Sequence, residues 1–188
     1  QTVQEGLHLI DRHQPGKAKQ VFEALVAAAP TGDNYFYLGY YYLTRRDFDN
    51  AKATFEKGKA ADPKNYLNQV GLGSVMVGQK NLAGAKAEFD RILAETKNKN
   101  IDVMYRIAEA YTMYYILGKE ESFNAANNDP AEAIRLIDAI QDRMMKDKKL
   151  PTADHYIVKG DAFLIKNDGG NAVTAYENAI AQEPRNIK

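Results

Sequence analysis

The stretch Tyr35-Phe36-Tyr37-Leu38-Gly39-Tyr40-Tyr41-Tyr42-Leu43, followed by Ala51, Phe55 and Pro63, decides the fold of this chain. Tyr35, Leu38 and Tyr42 step by three and four, as one face of a helix requires, and Ala51 and Phe55 lie on one face of a second. Arg45-Arg46-Asp47 between them reads as a turn, so the segment predicts two antiparallel helices.

The same spacing returns along the chain. Ala18, Ala51, Ala85, Ala133 and Ala172 recur at intervals of 33, 34, 48 and 39, each followed four residues on by Phe22, Phe55, Phe89, Ile137 or Tyr176. Gln14-Pro15-Gly16, Gly78-Gln79-Lys80-Asn81 and Asn167-Asp168-Gly169-Gly170 supply the further turns. No stretch alternates with period two long enough to make a strand. Repetition on this scale predicts a stack of helical hairpins rather than a globule around one cleft. Gly6, Gly39, Gly73, Ala108 and Gly160 share one register where the first helix crosses its partner. Glycine inside a helix costs roughly 1 kcal/mol relative to alanine, so its recurrence predicts close helix approach.

The pattern resembles the tetratricopeptide repeat, whose first helix carries Trp-x2-Leu-Gly-x2-Tyr and whose second carries Ala-x3-Phe and then Pro. Tyr35 stands where that family has Trp; the chain contains no tryptophan. The resemblance implies an all-α, right-handed α-solenoid of about five antiparallel helix-turn-helix repeats, with the first helices lining a concave groove. The repeats are expected at about 1–31, 32–65, 66–99, 100–149 with an insertion at 114–129, and 150–188, as one solenoid within a longer chain.

Composition narrows the class of function. Twenty-five basic and 25 acidic residues cancel, which argues against a nucleic-acid surface. The densest basic run, Lys146-Asp147-Lys148-Lys149, reads as a solvated helix end. No apolar run approaches the roughly 18 residues that span a bilayer, so no membrane insertion is expected. With no cysteine, disulfides and cysteine-metal sites are excluded. The opening at Gln1 and the asparagine, lysine and tyrosine usage point to an envelope or periplasmic protein after signal removal, with the cytoplasm as the alternative.

Catalysis finds no support in the sequence. His8, His13 and His155 lack a nucleophile or metal-ligand spacing and read as surface histidines, and no phosphate-binding Gly-Lys-Ser/Thr motif is present. Neither cofactor nor metal is expected. Glu109 and Asp161 share a register on first helices and read as charged walls of a binding surface rather than an acid–base pair.

That leaves the groove. Phe36, Tyr40 and Leu43 form a second stripe beside the packing positions, in the register that faces the groove in this family. The same register gives Val70 and Ser74, then Tyr105, Glu109 and Thr112, then Ile157 and Asp161, with Gly71 leaving room. The expected function is a non-catalytic scaffold that holds a protein or peptide through Phe36, Tyr40, Leu43, Ser74, Tyr105, Glu109 and Asp161. A peptide with apolar side chains and a basic residue suits it. The lysine-and-asparagine clamp with which some members of the family hold a chaperone's carboxyl terminus is absent. The insertion offers a second surface at Tyr114, Tyr115 and Phe123. The competing readings are self-association through the aromatic belt, and a glycan-binding segment of a larger envelope protein.

Overall fold

In the computed structural model the structure describes residues 1–113 and 127–182, and these form ten helices with no strand among them. In chain order they are α1 Val3–Asp11, α2 Pro15–Ala28, α3 Gly32–Thr44, α4 Phe48–Ala61, α5 Tyr66–Gly78, α6 Leu82–Glu95, α7 Ile101–Tyr111, α8 Pro130–Lys146, α9 Ala153–Ile165 and α10 Gly169–Gln182. The all-α reading of the sequence holds among the described residues. Residues 1–79 with 84–92 form one compact unit, and 80–83 with 93 onward form a second.

Each helix begins and ends for local reasons. The Thr31, Asp47, Asn100 and Asp129 side chains each accept the N–H three residues on, giving α3, α4, α7 and α8 their N-caps. Pro130 follows Asp129 as the first helical residue, as the sequence predicts. The hairpin turns share one closure. His13, Arg46 and Asn167 adopt left-handed backbone (φ 54°, 58° and 58°). The next N–H then reaches back to the last helical turn: Gln14 to Leu9 at 2.8 Å, Asp47 to Tyr42 at 3.0 Å, Asp168 to Phe163 at 2.9 Å. This satisfies carbonyls that the helix end would leave open.

The recurring small residue has the role its register implies. A Cβ on Gly39 would lie 2.5 Å from the Phe55 ring, one on Gly6 2.5 Å from Phe22, and one on Gly160 2.5 Å from Tyr176. Gly73 stands in the same relation to Phe89. Each aromatic ring therefore lies in a cradle made by a missing side chain sixteen residues earlier. The fourth hairpin departs from this in both partners at once: Ala108 replaces glycine and Ile137 replaces the ring, and both are fully buried.

In the first unit two helices meet the Phe55 ring through glycine, because Gly71 on α5 approaches it as Gly39 on α3 does. Gly71 thus opens no room in a groove, as the sequence reading had it; Phe55 fills that space. Asn68, fully buried, donates from Nδ2 to the Gly32 carbonyl at 2.9 Å, and its amide occupies the place of a Gly58 Cβ. Asn34, the residue 34 earlier, donates to Leu25 and Ala29 carbonyls at 3.1 and 2.8 Å. These asparagines tie consecutive hairpins together, a role that their own 34-residue spacing signalled. In the second unit the Asp129 N–H donates to the Tyr111 carbonyl at 3.0 Å, so the chain returns from the insertion to the end of α7. The expected continuation of that helix through Tyr114–Leu117, and Phe123, lie outside the described residues.

Candidate functional site

The stripe read as groove-facing is largely packed. Phe36 is 2% exposed, and its ring centre lies 6.0 Å from that of Phe55 and 6.2 Å from that of Tyr40. Leu43, Val70, Ser74, Thr112 and Asp161 are buried as well, and the Ser74 hydroxyl donates to the Val70 carbonyl on its own helix. The reason is neighbour number: α3 packs against α2, α4 and α5, so a helix expected to keep an open side has little of one. Tyr41 is buried against Phe22 with ring centres 6.3 Å apart, and Tyr37 and Tyr42 pack onto the same cluster. Phe36, Leu43 and Ser74 are therefore core residues of the first unit, a correction to their reading as free surface; Tyr40 is half-buried there.

In the second unit, two of the residues singled out remain half-buried, and they adjoin others across two helices. On α7, Tyr105 meets the His155 ring of α9 edge to face, with centres 5.4 Å apart at 76°. One turn on, Glu109 pairs with Arg106 at 2.9 Å, both side chains about one-sixth exposed (16% and 15%). The Arg106 guanidinium lies 5.1 Å from the centre of the Tyr105 ring. Asp161 on α9 accepts the Tyr176 hydroxyl of α10 at 2.6 Å. Its pKa is pushed up to about 6, chiefly by burial, against the Tyr176 hydrogen bond that lowers it and with the Glu109 charge adding to the rise. Ile157, two residues after His155 and one turn before Asp161, stands 42% exposed on α9. Adjacent first helices of this unit thus carry ring, aliphatic and carboxylate groups.

His155 is a second correction. It is 6% exposed rather than a surface residue. It occupies the third position of α9, where its Nδ1 accepts the Thr152 N–H at 3.1 Å and closes a capping box. Burial lowers its pKa from the ordinary 6.5, with Asp102 opposing. The signal was present in the sequence as Thr152-x-x-His155, a capping-box spacing with histidine in the glutamate position.

Elsewhere in the second unit, Lys159 bridges Asp138 at 2.6 Å and donates to Gln141 at 3.3 Å. A cavity of about 500 Å³ opens beside α8, lined by Met104, Ala139, Arg143 and Lys146 among others. Among the described residues no group of three or more histidines and carboxylates could hold a metal ion, and no helix is long and apolar enough to cross a membrane.

The fold and these side chains define the class: a helical-hairpin repeat protein whose first helices carry contact-forming side chains. Comparison with known proteins agrees. Residues 3–66 match the tetratricopeptide repeat family. Over 81 residues the chain is 30% identical to Tetratricopeptide repeat protein 1 of Schizosaccharomyces pombe, a match covering 43% of this chain and 8% of that protein. A tetratricopeptide repeat protein from Parabacteroides merdae superposes over 98% of this chain and 65% of its own, with TM-score 0.66 and 14% identity. MamA from Desulfovibrio magneticus covers 98% of this chain and 94% of its own, with TM-score 0.50 and 13% identity. The chain spans less than two thirds of the first two of these relatives. Among the described residues the fold is all-helical and that of a tetratricopeptide-repeat solenoid, and residues 3–66 resemble the tetratricopeptide repeat family in sequence.

Proposed function

We propose that this protein is a non-catalytic scaffold that binds a protein or peptide on the adjoining faces of α7 and α9. The observation that carries this reading is the exposed aliphatic side chain of Ile157 on α9, the helix whose His155 meets the half-buried Tyr105 ring and whose Asp161 feels the Glu109 charge. Such a face suits an apolar side chain next to a lysine or arginine, since a cation relieves the crowding of two carboxylates where one is buried. The partner is a protein segment with that pairing. The tetratricopeptide fold supports the reading, because stacked hairpins present extended surfaces of this kind.

Selection of a random peptide library against the chain tests it. Recovered peptides should share an apolar residue near a lysine or arginine. Binding should fall about tenfold or more in an Ile157→Asp variant and in Tyr105→Ala, as expected when a central anchor is lost. Peptides that bind both variants as well as the wild type would defeat the proposal. A second reading, self-association, draws on Val173 (57% exposed) and Ile180 (50% exposed), seven residues apart on α10. A mass that rises with concentration, and stops rising in Ile180→Asp, would favour it.

A further inference from the structure

We propose that His155 is a proton-operated positioning residue for this face: when neutral it caps α9 and supports the Tyr105 ring, and when protonated it releases both. The inference rests on the reading of α7 and α9 as the binding surface, and it concerns how that surface is regulated.

The geometry assigns the tautomer. Nδ1 accepts a backbone N–H, so in this state it carries no proton and the hydrogen is on Nε2. Protonation places a second donor against the Thr152 N–H, and a capping hydrogen bond becomes a donor–donor contact. The ring is 6% exposed and cannot turn into water without moving the start of α9. The Thr152 hydroxyl also lies 3.3 Å from Nδ1, and the Tyr105 ring meets the imidazole edge to face at 5.4 Å. Tyr105 belongs to α7 and its own neighbour there is Arg106, so displacement of the imidazole is felt on the proposed binding face. One proton therefore acts on two helices.

The surrounding charges set the range. Asp102 on α7 draws a proton toward the ring, while burial opposes it and prevails, so the imidazole titrates on the acid side of 6.5. Arg106 of α7 is engaged by Glu109. From α8, Asp138 is engaged by Lys159; from α10, the Tyr176 hydroxyl is engaged by Asp161; on α9 itself, Asp154 is exposed. Asp161, its pKa raised to about 6, also titrates below 6.5, so a global readout would mix the two groups.

Site-resolved NMR separates them. The Thr152 amide, the Tyr105 ring and the His155 ring would be followed in the isotope-labelled chain from about pH 8 to about pH 5, spanning the histidine range. The three should move together in the wild type with one common midpoint below 6.5. In His155→Gln, which keeps an acceptor at the capping-box position but does not titrate, the Thr152 and Tyr105 signals should stay flat across that range. The Tyr176 ring should still report Asp161 in that variant. A Tyr105 signal that titrates unchanged in His155→Gln, or stays still in the wild type while Thr152 shifts, would overturn the proposal. Should His155→Gln fail to fold, coincidence or divergence of the three wild-type midpoints decides alone. No peptide enters this experiment, so coupled titration in a chain that binds no peptide would remove the binding reading and leave the switch standing.

Discussion

Replacing Gly39 with alanine tests the cradle that repeats along the chain. The added methyl would lie 2.5 Å from the fully buried Phe55 ring, which Gly71 of α5 also meets. Overpacking of this kind costs about 1–3 kcal/mol. Helix propensity returns roughly 1 kcal/mol of it, because alanine is the better helix former. The net expectation for Gly39→Ala is a loss of about 0–2 kcal/mol. Phe55→Ile alone removes ring atoms from a filled site and should cost about 2 kcal/mol, less than a full truncation to alanine. The chain already contains the combined solution in Ala108 with Ile137. The double variant should therefore be more stable than the sum of the single losses by about 1–2 kcal/mol, a coupling typical of residues in direct contact. Urea denaturation followed by far-ultraviolet circular dichroism measures the cycle, and amide hydrogen exchange in α4 assigns the loss to that hairpin. Additivity within about 0.5 kcal/mol would refute the cradle as the reason for the glycine.

Phe36→Ala should cost about 3–5 kcal/mol by the same denaturation assay, as for a buried ring, whereas a surface ring would cost little. His13→Gly should stabilise the chain by about 0.5–1 kcal/mol, because His13 is exposed and held at φ 54°, where a side chain is strained. Asp161 binds its proton more tightly folded than unfolded, its pKa rising from 3.8 to about 6. Its contribution to stability is thus full below 3.8 and lost as pH rises through about 6, a change of roughly 3 kcal/mol. The advantage of Asp161→Asn over wild type should accordingly be larger at pH 7 than at pH 4 by about that amount, read from urea midpoints at the two values.

The hairpins were legible because their pattern is written redundantly. The alanine and the large side chain of each second helix and the small residue of each first helix recur together even where the interval stretches from 33 to 48, so each confirms the others. The glycine register predicted close approach, and the Phe22, Phe55, Phe89 and Tyr176 rings supply it. The site was less legible because burial in a stack depends on which neighbour lies over each helix, and no periodicity within one helix encodes that. Phe36 and Tyr40 are four apart on the same stripe, yet one is core and the other half-buried. Gly71 read as empty space because the ring that fills it belongs to the hairpin before. His155 escaped because its function is local to a cap, where residue type matters less than whether a lone pair points at the Thr152 N–H.

The most direct test of the binding surface is chemical-shift mapping of the wild-type chain with a library-selected peptide that carries a lysine or arginine beside an apolar residue. The largest perturbations should fall on Tyr105, Glu109, Ile157 and Asp161 and vanish in Ile157→Asp. Perturbations confined to the cavity around Arg143, or to Val173 and Ile180 on α10, would contradict the account.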